Sequence, residues 1–195
     1  MFDGATAFNA DIGDWDVSKV TDMDAAFMDV STFDADIGDW DVSSVTIMKY
    51  AFAAASAFDA DIGDWDVSKV TDMYAAFTDA STFDADIGDW DVSRVTDMGW
   101  MFDGATAFNA DIGDWDVSHT TAKTDMFLGA IAFDQCLPWH EDFDAPPHCG
   151  LSFPNNDQFW AAVGEWLTDS NTAEDEYGPI GDWDTSKVTD MRGMF

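Results

Sequence analysis

Apolar side chains return along this chain with a fixed period. Trp15, Trp40, Trp65, Trp90 and Trp115 stand 25 residues apart, each inside the segment D-I-G-D-W-D-V-S. Two Phe columns keep the same step, one from Phe2 to Phe127 and one from Phe8 to Phe133, with Ala5, Val30, Ala55, Ala80, Ala105 and Ala130 between them. Ile12 to Ile112, Val17 and Val20 through Val92 and Val95, and Met23, Met48, Met73 and Met98 complete the apolar set. A unit this short cannot bury its own apolar face, whereas stacked copies turn each column into a ladder of like side chains. Val20, Met23, Phe27 and Val30 fall at i, i+3, i+7 and i+10, which predicts one face of a short helix with Ser18 as its N-cap. D-I-G-D-W is too short for a second helix and predicts a short strand with a turn. The expected architecture is an α/β solenoid of 25-residue repeats, short strand plus short helix per coil. An all-β solenoid is the alternative, because short apolar spacings leave helix and strand ambiguous.

The pattern changes near its end. In the sixth unit the Val and Met columns become Thr120 and Lys123, while Met126, Phe127, Ala130 and Phe133 stay in phase. Core positions turning polar are expected of a capping repeat, so residues 1–135 are read as the solenoid. Residues 136–154 follow as a Cys-bracketed loop and 155–178 as a helical capping segment, with helices over Asn156–Leu167 and Thr172–Tyr177. Residues 179–195 restart the repeat from Ile180-Gly-Asp-Trp183, and Met194-Phe195 stands at the phase of Met1-Phe2. That coincidence predicts either a segment of a longer tandem protein or a unit that stacks head to tail, with a larger period of 193 residues.

Composition narrows the function classes. The chain of 195 residues carries 40 Asp plus Glu against 7 Lys plus Arg, a formal charge of −33. Acidic disordered chains are poor in aromatics, but this one is 47% hydrophobic with 10 Trp and 16 Phe, so a folded core inside an acidic shell is expected. Nucleic-acid binding needs a basic footprint and is excluded. No apolar run approaches the roughly 20 residues of a membrane span, and the first residues lack the basic start and apolar stretch of a signal peptide.

The Asp residues form rows. Asp11, Asp36, Asp61, Asp86 and Asp111 make the first; Asp14, Asp39, Asp64, Asp89 and Asp114 the second; Asp16, Asp41, Asp66, Asp91 and Asp116 the third. Coils paired at about 4.8 Å bring like carboxylates close enough to repel by roughly 0.9 kcal/mol even in water. Cations would relieve such ladders, and calcium suits them as a hard, oxygen-seeking ion. The competing reading is a solvated face, or Asp side chains that cap turns. A glycosidase pair is disfavoured, because two catalytic carboxyls need unlike environments and identical rows offer none. Cys136 and Cys149 are the only cysteines. A disulfide between them would staple the loop and imply an oxidising setting; free thiols, or zinc with His140 and His148, are the alternatives. The Trp column reads as buried structure, whereas Tyr74 and Trp100 lie outside the columns and are candidates for an exposed contact.

The motif W-D-V-S-x-V-T-D-M-x-x-x-F-x-x-A-x-x-F-x-x-D-I resembles the repeat of BspA-type leucine-rich-repeat surface proteins, over residues 1–135 and 179–195. The resemblance implies a leucine-rich-repeat-like fold in an extracellular or cell-surface protein used for adhesion or interaction, without a catalytic site. The expected function is therefore a non-enzymatic structural or interaction protein, a tandem or head-to-tail unit of a surface fibre. A calcium-dependent adhesion module for glycan or protein is the alternative. Expected partners are further copies of the chain and surface proteins or glycans, with no certain cofactor and calcium in the rows as the one candidate.

Overall fold

The computed structural model describes residues 2–133 together with the single positions 137, 163 and 168. The chain divides into two compact units, Met1–Gln135 with Asp142–Asp144, and Cys136–Glu141 with Ala145–Phe195.

In the first unit the 25-residue repeats stack as coils, and each coil is a polygon of tight turns. The turns of one unit close through N–H to carbonyl bonds from Trp40 to Ile37, Val45 to Val42, Ala51 to Met48, Ala55 to Phe52 and Phe58 to Ala55. The residues at the corners of these turns are the apolar columns. The same pattern recurs one coil earlier and one coil later, for example Trp65 to Ile62 and Val70 to Val67.

The predicted strand-plus-helix unit is not what forms, so the α/β solenoid is corrected. Among residues 2–133 there is no helix and no strand, only turns and isolated parallel bridges, Asp22 to Ile47, Ile47 to Asp72, Asp72 to Asp97 and Asp97 to Ala122. These single bridges do not make the strands of an all-β coil either. The reason lies in where the N–H groups go. A helix sends every N–H to its own i−4 carbonyl. Here the N–H groups of Met23, Ala25, Phe27 and Asp29 leave the coil and donate to the carbonyls of Ile47, Lys49, Ala51 and Ala53, at 2.8–2.9 Å. Those of Ala26 and Val30 close local turns onto Met23 and Phe27. Alternate donors facing alternate directions require alternate backbone conformations, and Ala25 and Asp29 take positive φ of 50° and 58°. The left-handed conformation costs about 1–2 kcal/mol per non-Gly residue, offset by the cross-coil bond that it aims. The spacing i, i+3, i+7 is common to a helical face and to a chain of three-residue turns, and the turns won. Ser18 accordingly caps no helix; its N–H and hydroxyl both donate to Asp16 Oδ1.

The core is an aromatic stack. Phe27 and Phe33 pack face to face within one coil, with centroids 4.2 Å apart, and each stacks on the next coil's equivalent, Phe52 at 5.4 Å and Phe58 at 5.8 Å. The interior Phe, Ile, Val and Met columns are buried. Trp40, Trp65, Trp90 and Trp115 lie beside them, and each indole N–H donates across to an Ile carbonyl of the preceding coil, at 3.0–3.1 Å. Coil contact is close enough to exclude a side chain at the glycine of each interior D-I-G-D-W segment: a methyl group on Gly38 or Gly88 would lie 2.5 Å from the carbonyl oxygen of Asp61 or Asp111. In the sixth coil the polar Thr120 stays buried, and its hydroxyl donates to Val95 O at 3.0 Å.

The disulfide-stapled loop receives no support. No disulfide is present among the described residues, and Cys136 and Cys149 lie outside them, as do His140 and His148. The helix expected over Asn156–Leu167 is described at one position, Val163, which is helical and buried. The expected helix over Thr172–Tyr177 and the restart over 179–195 lie outside the described residues.

Candidate functional site

The three predicted Asp rows have different employments. In the first row, the carboxylates of Asp11, Asp36, Asp61, Asp86 and Asp111 accept the N–H of the glycine two residues on, at 3.0–3.3 Å. In the third, Asp16, Asp41, Asp66 and Asp91 each accept both the N–H and the hydroxyl of the following Ser, the hydroxyl at 2.5–2.6 Å. Asp116 accepts the N–H of Ser118 at 3.0 Å. The Ser hydroxyl, and then the Ser N–H, hold the carboxyls of Asp16, Asp41, Asp66 and Asp116 below the ordinary carboxylate range. The second row has no such turn bond among the described residues. Asp14 and Asp39 of this row meet Asp11 and Asp36 of the first around one shallow cleft, closed by Asn9 and Gly13. Among the described residues no three carboxylate, imidazole or thiol groups converge as a metal would require. The first and third rows act as turn caps.

A second constellation interrupts the repeat on the outside of the coils. At two adjacent phases, where the first coil has Asp24 and Ala25, the following coils carry Lys49 and Tyr50, Tyr74 and Ala75, and Gly99 and Trp100. Tyr50 and Tyr74 meet edge to face at 5.3 Å, and Tyr74 leans on Trp100 at 5.6 Å. Lys49 Nζ lies 5.2 Å and 5.5 Å from the two tyrosine ring centres, a cation–π arrangement. The Trp100 indole donates to Asp125 Oδ2 at 2.9 Å, and its ring is 40% exposed. Burial, a hydrogen bond with Tyr50 and the charge of Asp97 raise the Tyr74 phenol above its usual range. Sequence reasoning singled out Tyr74 and Trp100 but missed Lys49 and Tyr50. The signal was present as a departure from the columns at neighbouring phases, visible once the turn geometry puts those phases side by side.

Residues 1–73, 47–166 and 166–195 match the family described as "Mycoplasma protein of unknown function, DUF285". The chain belongs to the DUF285 family. The match corrects the expected membership among BspA-type leucine-rich-repeat surface proteins, since no leucine-rich-repeat family matches. No curated protein and no solved structure matches the chain.

In the first coil of this DUF285 chain the equivalent groups are placed differently from those of the interior coils. Trp15 is 45% exposed, against 7% for Trp40 and 3% for Trp65. Among the described residues its indole N–H has no acceptor like the Ile carbonyl that serves the later tryptophans, and no donor reaches the carbonyls of Asp22 and Asp24. Their equivalents, Ile47 and Lys49, each accept one bond from the coil before. A cavity of ≈ 100 Å³ lies where Trp15, Val17 and Val20 adjoin Trp40, Val42 and Val45.

Proposed function

We propose that this chain is a non-enzymatic structural and interaction protein of the cell exterior, acting as a tandem or head-to-tail unit of a surface fibre. The observation that carries the reading is the set of bonds that joins each coil to the next. Every interior coil meets the one before it through a Trp indole N–H and a Thr N–H that donate and through carbonyls such as those of Ile47 and Lys49 that accept, and the first coil carries the same groups in Trp15, Thr21, Asp22 and Asp24. A preceding coil would satisfy all of them, whether contributed by a second copy or by a tandem neighbour in a longer chain. The repeat restart over 179–195 carries the required side chains at the required phase, including Ile180, Trp183, Val188 and Met191. The absence of an enzymatic role rests on the uniformity of the rows, whose caps are the same from coil to coil and do not separate an acid from a base.

Sedimentation across a concentration series, followed by electron microscopy, tests the stacking. Filaments, or a concentration-dependent rise in mass with a blue shift of Trp15 emission, are expected. A species that stays monomeric at every concentration, with Trp15 emission unchanged, would remove it. The alternative of a calcium-dependent module has its opening at the cleft of Asp11, Asp14, Asp36 and Asp39. Melting with calcium and then with chelator decides it, since an unchanged Tm leaves calcium no structural role.

A further inference from the structure

We propose that the aromatic strip of Tyr50, Tyr74 and Trp100 is a binding platform for a neutral glycan, with Trp100 as the stacking face and the carboxylates of Asp97 and Asp125 as acceptors for sugar hydroxyls. The proposal rests on the interaction reading of the chain but does not require end-to-end stacking.

Folding does not ask for these side chains. Tyr50 and Trp100 occupy the positive-φ corner, with φ of 53° and 56°, that Ala25 and Ala75 fill at 50° and 53°. A bulky aromatic in the left-handed region is an unfavourable choice where a small residue serves. The three rings nevertheless appear in consecutive coils and nowhere else along those two phases. Space has been cleared for them as well: a methyl group on Gly99 would stand 3.3 Å from Tyr74 Cδ2. The platform is also held in place before any ligand arrives. Asp125 fixes the Trp100 indole, Lys49 lies over both tyrosines, and Thr78 Oγ1 donates to the Trp100 carbonyl at 2.6 Å. Rings fixed in advance lose little entropy on binding, as a recognition surface requires.

The surroundings choose the ligand. A pyranose presents a C–H face that packs on an indole and hydroxyl donors at its rim. Carboxylate acceptors stand beside the rings: Asp125 bonds the Trp100 indole through Oδ2, and Asp97, whose Oδ1 accepts the Gly99 N–H, lies next to Tyr74. Sialylated, sulfated or phosphorylated sugars are repelled by a chain of net charge −33.

The test is calorimetric titration of the full chain with maltohexaose, cellohexaose, chitohexaose and lactose, and with sialyllactose as the charged counterpart of the last. At least one neutral sugar binds at one site, Trp100→Ala and Tyr74→Ala each weaken it by about tenfold as loss of an aromatic anchor does, and Trp15→Ala leaves it unchanged. Each variant is melted in parallel, and an unaltered Tm shows that the loss is local. Trp100→Phe, which keeps a stacking face, retains part of the affinity. Silence across all the neutral sugars, tighter binding of sialyllactose than of lactose, or an affinity indifferent to Trp100 and Tyr74 would each overturn the proposal. So would capture of a glycoprotein through this strip that survives enzymatic removal of its glycans, which would make the strip a protein contact. Sedimentation of Trp100→Ala separates the two readings, because loss of sugar binding with stacking intact concerns the strip alone.

Discussion

Trp15 and Trp65 occupy the same place in the same sequence motif, yet one is 45% exposed and the other 3%. Trp65 donates to Ile37 O at 3.1 Å and stacks on Trp40 at 6.5 Å with rings nearly parallel; Trp15 touches Phe2 alone among the aromatic pairs, tilted at 6.0 Å. The difference teaches which properties belong to the repeat unit and which to the stack. Burial and the indole bond are created by the neighbouring coil. The tight turn is created by the unit itself, since the Ile12 carbonyl accepts the Trp15 N–H at 3.0 Å much as Ile62 accepts that of Trp65 at 3.1 Å.

The largest consequence follows directly. Trp65→Ala removes a buried ring and one of the two hydrogen bonds that the Ile37 carbonyl accepts, so a loss of about 3–5 kcal/mol is expected, most of it from the cavity. Trp15→Ala removes a ring that is largely in water already and should cost less than about 1 kcal/mol. Urea titration of both variants measures the gap. Equal losses would show that the first-coil face is covered in solution.

The next largest effect concerns the approach of coil to coil. A methyl group on Gly88 meets the Asp111 carbonyl oxygen at 2.5 Å, whereas one on Gly13 meets that of Asp36 at 2.9 Å. Forcing backbone apart costs about 1–3 kcal/mol, so Gly88→Ala should lower the urea midpoint more than Gly13→Ala. The reverse order would mean that the first interface is no looser than the interior ones.

These expectations show how much was legible beforehand. The period, the apolar columns and the inward place of Phe, Ile, Val and Trp could be read directly, because burial at fixed phase follows from repetition whatever the local backbone. The local backbone itself could not be read. Val20, Met23, Phe27 and Val30 satisfy a helical spacing, and only the donors of Met23, Ala25, Phe27 and Asp29, which bond to the next coil, exclude the helix. Nothing in one unit announces a bond made to another. The Asp rows were legible as rows, and their capping role stood open as one reading. The aromatic strip was half legible, since Lys49 and Tyr74 share one phase but Tyr50 and Trp100 share the next, and adjacency across phases depends on the turns.

Charge gives a smaller effect of opposite sign. Asp103 is pushed above the ordinary carboxylate range by burial and then by Asp79 and Asp125. A raised folded-state pKa means that its contribution is intact below the unfolded value and is lost as pH rises through the folded one. Asp103→Asn should therefore raise Tm at pH 7 and make no difference below about pH 3, where the carboxyl is protonated in both states. A Tm at pH 7 equal to or below that of the parent would contradict the burial and repulsion assigned to this corner.

The smallest effect returns to the contrast between first and interior coils and asks where it should vanish. Asp16 and Asp66 are both lowered by their own Ser, Ser18 and Ser68, through bonds made inside a single turn. A lowered carboxylate contributes stability that is present above its unfolded pKa and is lost as pH falls through its folded one. Ser18→Ala and Ser68→Ala each weaken that contribution, so the acid transition should begin at slightly higher pH in both variants, while neutral melting temperatures change little. Because the bond is local, the shift should be the same at the exposed first coil and in the interior. Unequal shifts in paired acid titrations would show that the cap, like the indole bond, depends on a neighbouring coil, and the division between unit and stack drawn from Trp15 and Trp65 would fail at its simplest case.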